Sequence, residues 1–139
     1  ALGNRSIICS PIPLNMKDTL NHKVKHREWF RPFAPIVRLE DVSEYFEWEG
    51  ESRWMGFCPK VREEWRETLI SITHVDGTAR VQVVNSNCKS VIRPILEEWY
   101  EQTGCPMLLN TSLNIKGKPM VNDEKDSKSF ERLYGVKVF

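Results

Sequence analysis

The chain has 139 residues, 40% of them hydrophobic and 28% charged, with a formal net charge of +1. A single domain, 1–139, accommodates that length and buries roughly 70% of its unfolded surface, and the composition excludes a disordered or fibrous chain. The near-balanced charge argues against nucleic-acid binding through bulk electrostatics, and no stretch approaches the roughly 20 apolar residues of a membrane span.

No signal-peptide layout opens the sequence, so a cytoplasmic setting and a small-molecule partner are expected. The start at Ala1, running straight into "ALGNRS", reads as the interior of a longer protein. Cys9, Cys58, Cys88 and Cys105 form no C-x-x-C pair and have no histidine at ligand spacing. They read as reduced and structural, and no metal site is expected from them.

Met16, Leu20 and Val24 recur one turn apart behind Asn15, which predicts a helix over 16–26 with Asn15 as its N-cap. "FRPFAPIVRLE" then leads through Pro32 and Pro35 into an apolar strand. Asp41 and Glu44 have capping-box spacing ahead of a short helix at "VSEYF". Strands are expected at 54–58 and 68–73. In "ARVQVV", Ala79, Val81 and Val83 alternate with Arg80 and Gln82, the pattern of a strand with one polar face. A helix follows from Val91 to Gln102 with Gly104 as its stop, its start displaced toward Arg93 by Pro94. A strand "CPMLL", a polar loop, a turn at "KGKP", a helix over 123–133 and a strand "VKVF" complete an α/β (α+β) layered domain.

Three segments carry chemistry. "LLNTSLN" ends an apolar run in Asn110, Thr111, Ser112 and Asn114, with no glycine or proline to account for the break. Such a loop either bonds to its own backbone or holds a ligand. "KVKHREWFR" gathers Lys23, Lys25, Arg27 and Arg31 ahead of a proline-braced turn. As a solvated helix face it is unremarkable, but Arg31 beside Phe30, Pro32 and Phe33 suits a partly desolvated anion-binding fork. "THVDGTARVQ" places His74, Asp76 and Arg80 around a turn at Gly77. His74 and Asp76 alone are weak evidence for a metal or acid-base site, and Arg80 is the stronger candidate. Lys116 and Lys118 read as exposed turn residues, and His22 and His26 as surface or capping groups. Trp29, Trp48, Trp54, Trp65 and Trp99 read as core or interdomain packing rather than base-stacking platforms.

"ALGNRS" at 1–6, "KHREWFRPFAP" at 25–35, "THVDGTARVQ" at 73–82 and "MLLNTSLNIKGKPMV" at 107–121 together resemble the C-terminal domain of the O-carbamoyltransferases that modify nodulation factors and antibiotics. Leu113 stands where that family commonly has phenylalanine, and His26 and Trp29 vary tolerant positions. The resemblance implies a YrdC-like twisted mixed sheet flanked by helices, with "NTSLN" similar to the nucleotide-binding "STSAN" loop of YrdC proteins. It implies that this domain takes ATP, with Mg²⁺, and carbamoyl phosphate to form carbamoyl-adenylate. An N-terminal Kae1-like domain, absent from this chain, would pass the carbamoyl group to an acceptor small molecule or glycan.

Clustered cations are then needed to offset anionic repulsion, and Lys25, Arg31 and Arg80 are expected to be catalytic, with Arg5 joining them. Ser112 and Asn114 are expected to hold a phosphate or the planar carbamoyl group. His74, Asp76, Asn110 and Thr111 are weaker substrate-binding candidates. Two other readings stay open, a nucleotide-binding module inactive without its partner domain and an RNA-binding accessory domain, the latter disfavoured by the balanced charge.

Overall fold

The apolar runs of the sequence become the strands of one sheet in a computed structural model that describes residues 3–26, 28 and 30–139. Four strands, β1 (Ser6–Cys9), β2 (Ala34–Arg38), β3 (Gln82–Val84) and β4 (Met107–Ser112), lie in the order β1-β4-β2-β3. β4 is antiparallel to both neighbours, with Ile8 opposite Asn110 and Ile36 opposite Leu108, whereas β2 and β3 run parallel. Four helices accompany them: α1 (Met16–Leu20), α2 (Val42–Tyr45), α3 (Ile92–Thr103) and α4 (Glu124–Tyr134). A small α/β domain with a mixed sheet is therefore the architecture.

Strand alternation divides the core between two faces. Ile36, Val84 and Leu108 pack with Ile92 and Leu96 of α3 on one face. Val37, Val83, Met107 and Leu109 join Leu20, Val24, Leu69, Ile72 and Phe130 of α4 on the other. Each such fully buried aliphatic side chain stabilises the fold by about 1.5–3 kcal/mol.

The departures from sequence expectation have local causes. α1 stops at Leu20 and passes into a π-helical turn, Asn21–Lys25, which buries Asn21, Val24 and Lys25 and ends at His26 with φ 45°. Asn15 makes no side-chain cap there. Asp41 does not complete a capping box, because its carboxylate accepts instead from Arg38 Nε at 2.6 Å. Residues 68–73 form helical turns and not a strand: Leu69 N–H donates to Trp65 O, Ile72 N–H donates to Leu69 O, and Leu69 and Ile72 are buried three residues apart. Residues 54–58 contribute only an isolated bridge, Phe57 to Val81.

β3 is shorter than the alternating run, and Gln82 is buried with it. Pro94 sits in the first turn of α3, where a missing N–H costs no intrahelical bond. Residues 136–139 form no strand, and Val138 N–H donates to Glu131 Oε1 at 2.7 Å instead. β4 continues through Asn110 and Thr111 to Ser112, paired to a β1 that sequence reading did not anticipate.

Candidate functional site

The strand directions bring the chemistry to one end of the sheet. β1, β2 and β3 begin there and the antiparallel β4 finishes there. Arg5 therefore precedes β1, Arg31 precedes β2, Arg80 precedes β3, and Asn110 to Ser112 close β4. Residues distant in sequence are thus assembled by topology alone.

Lys25 is the anchor. Only 9% exposed, its ammonium donates to the Ser112 carbonyl at 2.6 Å, Ser112 Oγ at 3.1 Å and Asn114 Oδ1 at 2.7 Å. Ser112 Oγ also donates to Asn114 Oδ1 at 2.7 Å, and Asn114 Nδ2 donates to the carbonyls of Ile115 and Lys118, both at 3.1 Å. The polar break after Leu109 is thus built first around Lys25, which fixes the carboxamide and hydroxyl in one orientation. Charge-assisted bonds of this kind are roughly twice as strong as neutral ones.

Two cavities meet at Ser112. One, about 490 Å³, is bordered by Lys25, Arg31, Ser112, Asn114, Lys116 and Glu28. Arg31 is not desolvated by its aromatic neighbours as the sequence suggested. Its side chain is 58% exposed, Phe30 is likewise exposed, and the guanidinium forms a loose pair with Glu28 at 3.6 Å. The backbone hydrogen bond at Glu28, with Arg31 alongside, holds that carboxyl below its usual range. Lys116 Nζ donates to the His26 carbonyl, tying the following turn to the end of the π-helical segment.

The second cavity, about 370 Å³, is bordered by Arg5, Arg80, Asn110, Thr111, Ser112 and Trp54 among others, and no carboxylate lines it. Among the described residues neither Arg5 nor Arg80 pairs with an acid. Asn110 is buried on the sheet and donates through Nδ2 to Gln82 Oε1 at 3.0 Å, across β2.

His74 and Asp76 border neither cavity. They close the turn at Gly77, whose φ of 79° suits glycine. Thr78 Oγ1 donates to Asp76 Oδ1 at 2.7 Å and lies 3.0 Å from His74 Nδ1. With that hydroxyl proton committed, Nδ1 carries the imidazole hydrogen. Desolvation lowers the His74 pKa, and the Thr78 hydrogen bonds lower that of Asp76. Lys23 is exposed, and Arg27 and Trp29 lie outside the described residues. No group of three or more acidic, histidine or cysteine side chains among the described residues is placed to hold a metal, and no helix there is long and apolar enough to cross a membrane.

Sequence reasoning passed over Gln82 and Trp54. Gln82 looked like an outward-facing strand residue, and burial with Asn110 reverses that. Trp54 was expected in packing, yet it is 71% exposed between cavities. An isolated tryptophan in "ESRWMGF", without periodic apolar partners, was the available signal.

The family model described as carbamoyltransferase C-terminus matches residues 1–138. The chain is 45% identical over 130 residues to nodulation protein NolNO of Sinorhizobium fredii, covering 91% of this chain and 19% of that protein. It is 43% identical over 130 residues to nodulation protein NolO of Bradyrhizobium diazoefficiens, 91% of this chain and 24% of the relative. A 3'-hydroxymethylcephem-O-carbamoyltransferase of Amycolatopsis lactamdurans is 38% identical over 126 residues, again 91% of this chain and 24% of the relative. The chain thus spans between about a fifth and a quarter of the length of these relatives.

Proposed function

We propose, from the premise that this chain belongs to the carbamoyltransferase C-terminus family, that it is the adenylating part of a carbamoyltransferase. It binds ATP and carbamoyl phosphate and forms carbamoyl-adenylate, which an N-terminal Kae1-like domain of the full enzyme passes to an acceptor hydroxyl. The observation that carries this reading is the meeting of two cation-lined cavities at Ser112.

The division of the two cavities suits two anionic substrates. Carbamoyl phosphate occupies the one bordered by Lys25 and Arg31, where water hydrolyses it: the bond between the carbamoyl oxygen and phosphorus breaks, inorganic phosphate leaves with the water's oxygen, and carbamate remains. The nucleotide phosphates occupy the one bordered by Arg5 and Arg80. A carbamate oxygen attacks the α-phosphorus, the α–β bridging P–O bond breaks, and pyrophosphate departs. Arg5 and Arg80 offset the charge growing on that leaving group. Ser112, held by Lys25, stands between donor and acceptor phosphorus, and Asn114 is fixed beside it. Mg²⁺ would be carried by the nucleotide phosphates, since the described residues offer no ligand cluster for it.

The test is mass-spectrometric detection of carbamoyl-adenylate, with pyrophosphate quantified, after mixing the chain with ATP, Mg²⁺ and carbamoyl phosphate. Product is expected from the parent and not from Arg31→Ala or Arg80→Ala. Absence of both product and ATP binding overturns the reading. Because the chain spans so little of its relatives, a nucleotide-binding module needing its partner domain is the second reading. ATP binding without pyrophosphate release would favour it.

A further inference from the structure

Trp54 occupies a place that packing does not explain. Its neighbour Ser52 is buried, accepts from Val83 N–H at 2.8 Å and donates through Oγ to the Val81 carbonyl at 2.8 Å. Phe57 O accepts from Val81 N–H at 3.3 Å on the other side. Between these braces Met55 adopts φ 58°, a strained value for a bulky residue, and Trp54 is left 71% exposed. An indole held in water on a pinned turn is an apolar surface built for an occupant.

Trp54 also borders a third cavity, about 470 Å³, with Gln82, Asn85, Asn87 and Ser90. No carboxylate lines it. Arg53, at the same cavity, is paired with Glu51 at 3.5 Å, and Lys89 is exposed. Trp54 and the apolar Val83, Val84, Cys88 and Ile92 share the lining with carboxamides and a hydroxyl, and its cations are Arg53 and Lys89. Gln82 accepts from Asn110 through Oε1, and no protein hydrogen bond from its amide nitrogen is seen among the described residues.

We infer that Trp54 is the platform on which the nucleotide base stacks, with base and ribose in the Trp54–Gln82–Asn85 cavity and the phosphates on the Arg5–Arg80 side. This rests on the reading that the chain binds ATP. The order of the cavities fixes the direction. The α-phosphorus has to lie near Ser112 to meet the carbamate, so the base must extend away from it, past Trp54. Stacking supplies affinity through the ring face, Gln82 Nε2 donates to a ring nitrogen, and Asn87 meets the ribose hydroxyls, Asn85 donating to Glu51 and Ser90 to Asn4 at the same rim.

Calorimetry of the parent, Trp54→Ala and Trp54→Phe with ATP and with tripolyphosphate, both with Mg²⁺, tests this. Trp54→Ala is expected to weaken ATP roughly 5- to 150-fold, the range of base–aromatic stacking. Trp54→Phe restores most of it, and tripolyphosphate binding is unchanged throughout. If the parent binds ATP and Trp54→Ala binds it equally, the base platform is wrong while nucleotide binding stands. An equal loss for ATP and tripolyphosphate would make Trp54 a structural support and also overturn the inference. A parent that binds neither ligand removes the nucleotide reading and the platform with it.

Discussion

The two ends of β2 carry arginines in opposite circumstances. At its far end Arg38 and Arg93 are buried and matched. Arg38 donates to Asp41 and to Glu97, and Arg93 donates to Glu40 at 3.1 and 2.5 Å and to the Val84 carbonyl at 3.1 Å. Arg93 also pairs with Glu97, and the Arg38 guanidinium lies 3.6 Å over the Tyr100 ring. Around the Ala34 end, Arg5 and Arg80 face a cavity with no acid. Matched and buried arginines clamp α3 to the sheet, whereas the half-buried Arg5 and exposed Arg80, unmatched by acids, leave their fields for a ligand. Charge count cannot tell these apart, but partners and burial can.

Removing a matched arginine should cost the most stability. Arg93→Ala takes the hydrogen-bond donor from Glu40 and the Val84 carbonyl and leaves Glu97 with Arg38 alone. Breaking a buried pair costs about 3–5 kcal/mol, and the half-exposed carboxylates can recover water, so a loss of about 2–3 kcal/mol is expected in urea unfolding. Arg80→Ala should instead stay within about 0.5 kcal/mol of the parent. A loss at Arg80 equal to that at Arg93 would erase the contrast.

Lys25→Met sharpens the comparison from the site itself. Here a cation is both buried and placed at a cavity, and its loss strands the Ser112 carbonyl and loosens Asn114. A destabilisation of about 1–3 kcal/mol is expected. Unlike Arg80→Ala, the variant should lose stability and substrate binding together.

Much of this contrast was legible in the sequence and part was not. The α3 helix and the strand at Met107 follow from periodicity, whereas the grouping of Arg5, Lys25, Arg31, Arg80, Ser112 and Asn114 was expected from the family resemblance and not from any local pattern. The depth of Lys25 was hidden because a π-helical turn, and not the continued helix its spacing predicted, carries it inward. The burial of Gln82 was hidden because its partner Asn110 lies on β4, two strands away, beyond any local pattern. The Arg38–Arg93 clamp was missed for the same reason: Asp41 read as a helix cap, and Glu40 and Glu97 are 53 and 59 residues from the arginines they join.

Acid should weaken the matched end first. Hydrogen bonding from Arg93 lowers the Glu40 pKa below its ordinary 4.5, so the folded state holds fewer protons than the unfolded one in that window. The contribution is complete above pH 4.5 and is lost as pH falls through the lowered value. Urea midpoints of the parent should therefore drop on acidification more steeply than those of Glu40→Gln. Parallel slopes would show that Glu40 does not carry the effect.

The smallest effect tests the unmatched end by its field. Desolvation lowers the His74 pKa below 6.5, with Asp76 opposing and the positive charges of Arg80 and Lys17 assisting. Stability linked to His74 is complete above 6.5 and declines as pH falls toward the lowered value, because the unfolded chain then binds the extra proton. His74→Gln should flatten that decline slightly. In Arg80→Ala one of the assisting charges is gone, so the imidazole titration followed by NMR should move up toward 6.5. An Arg80 matched by a hidden carboxylate would leave the titration where it was, and the two ends of the sheet would then differ in exposure alone.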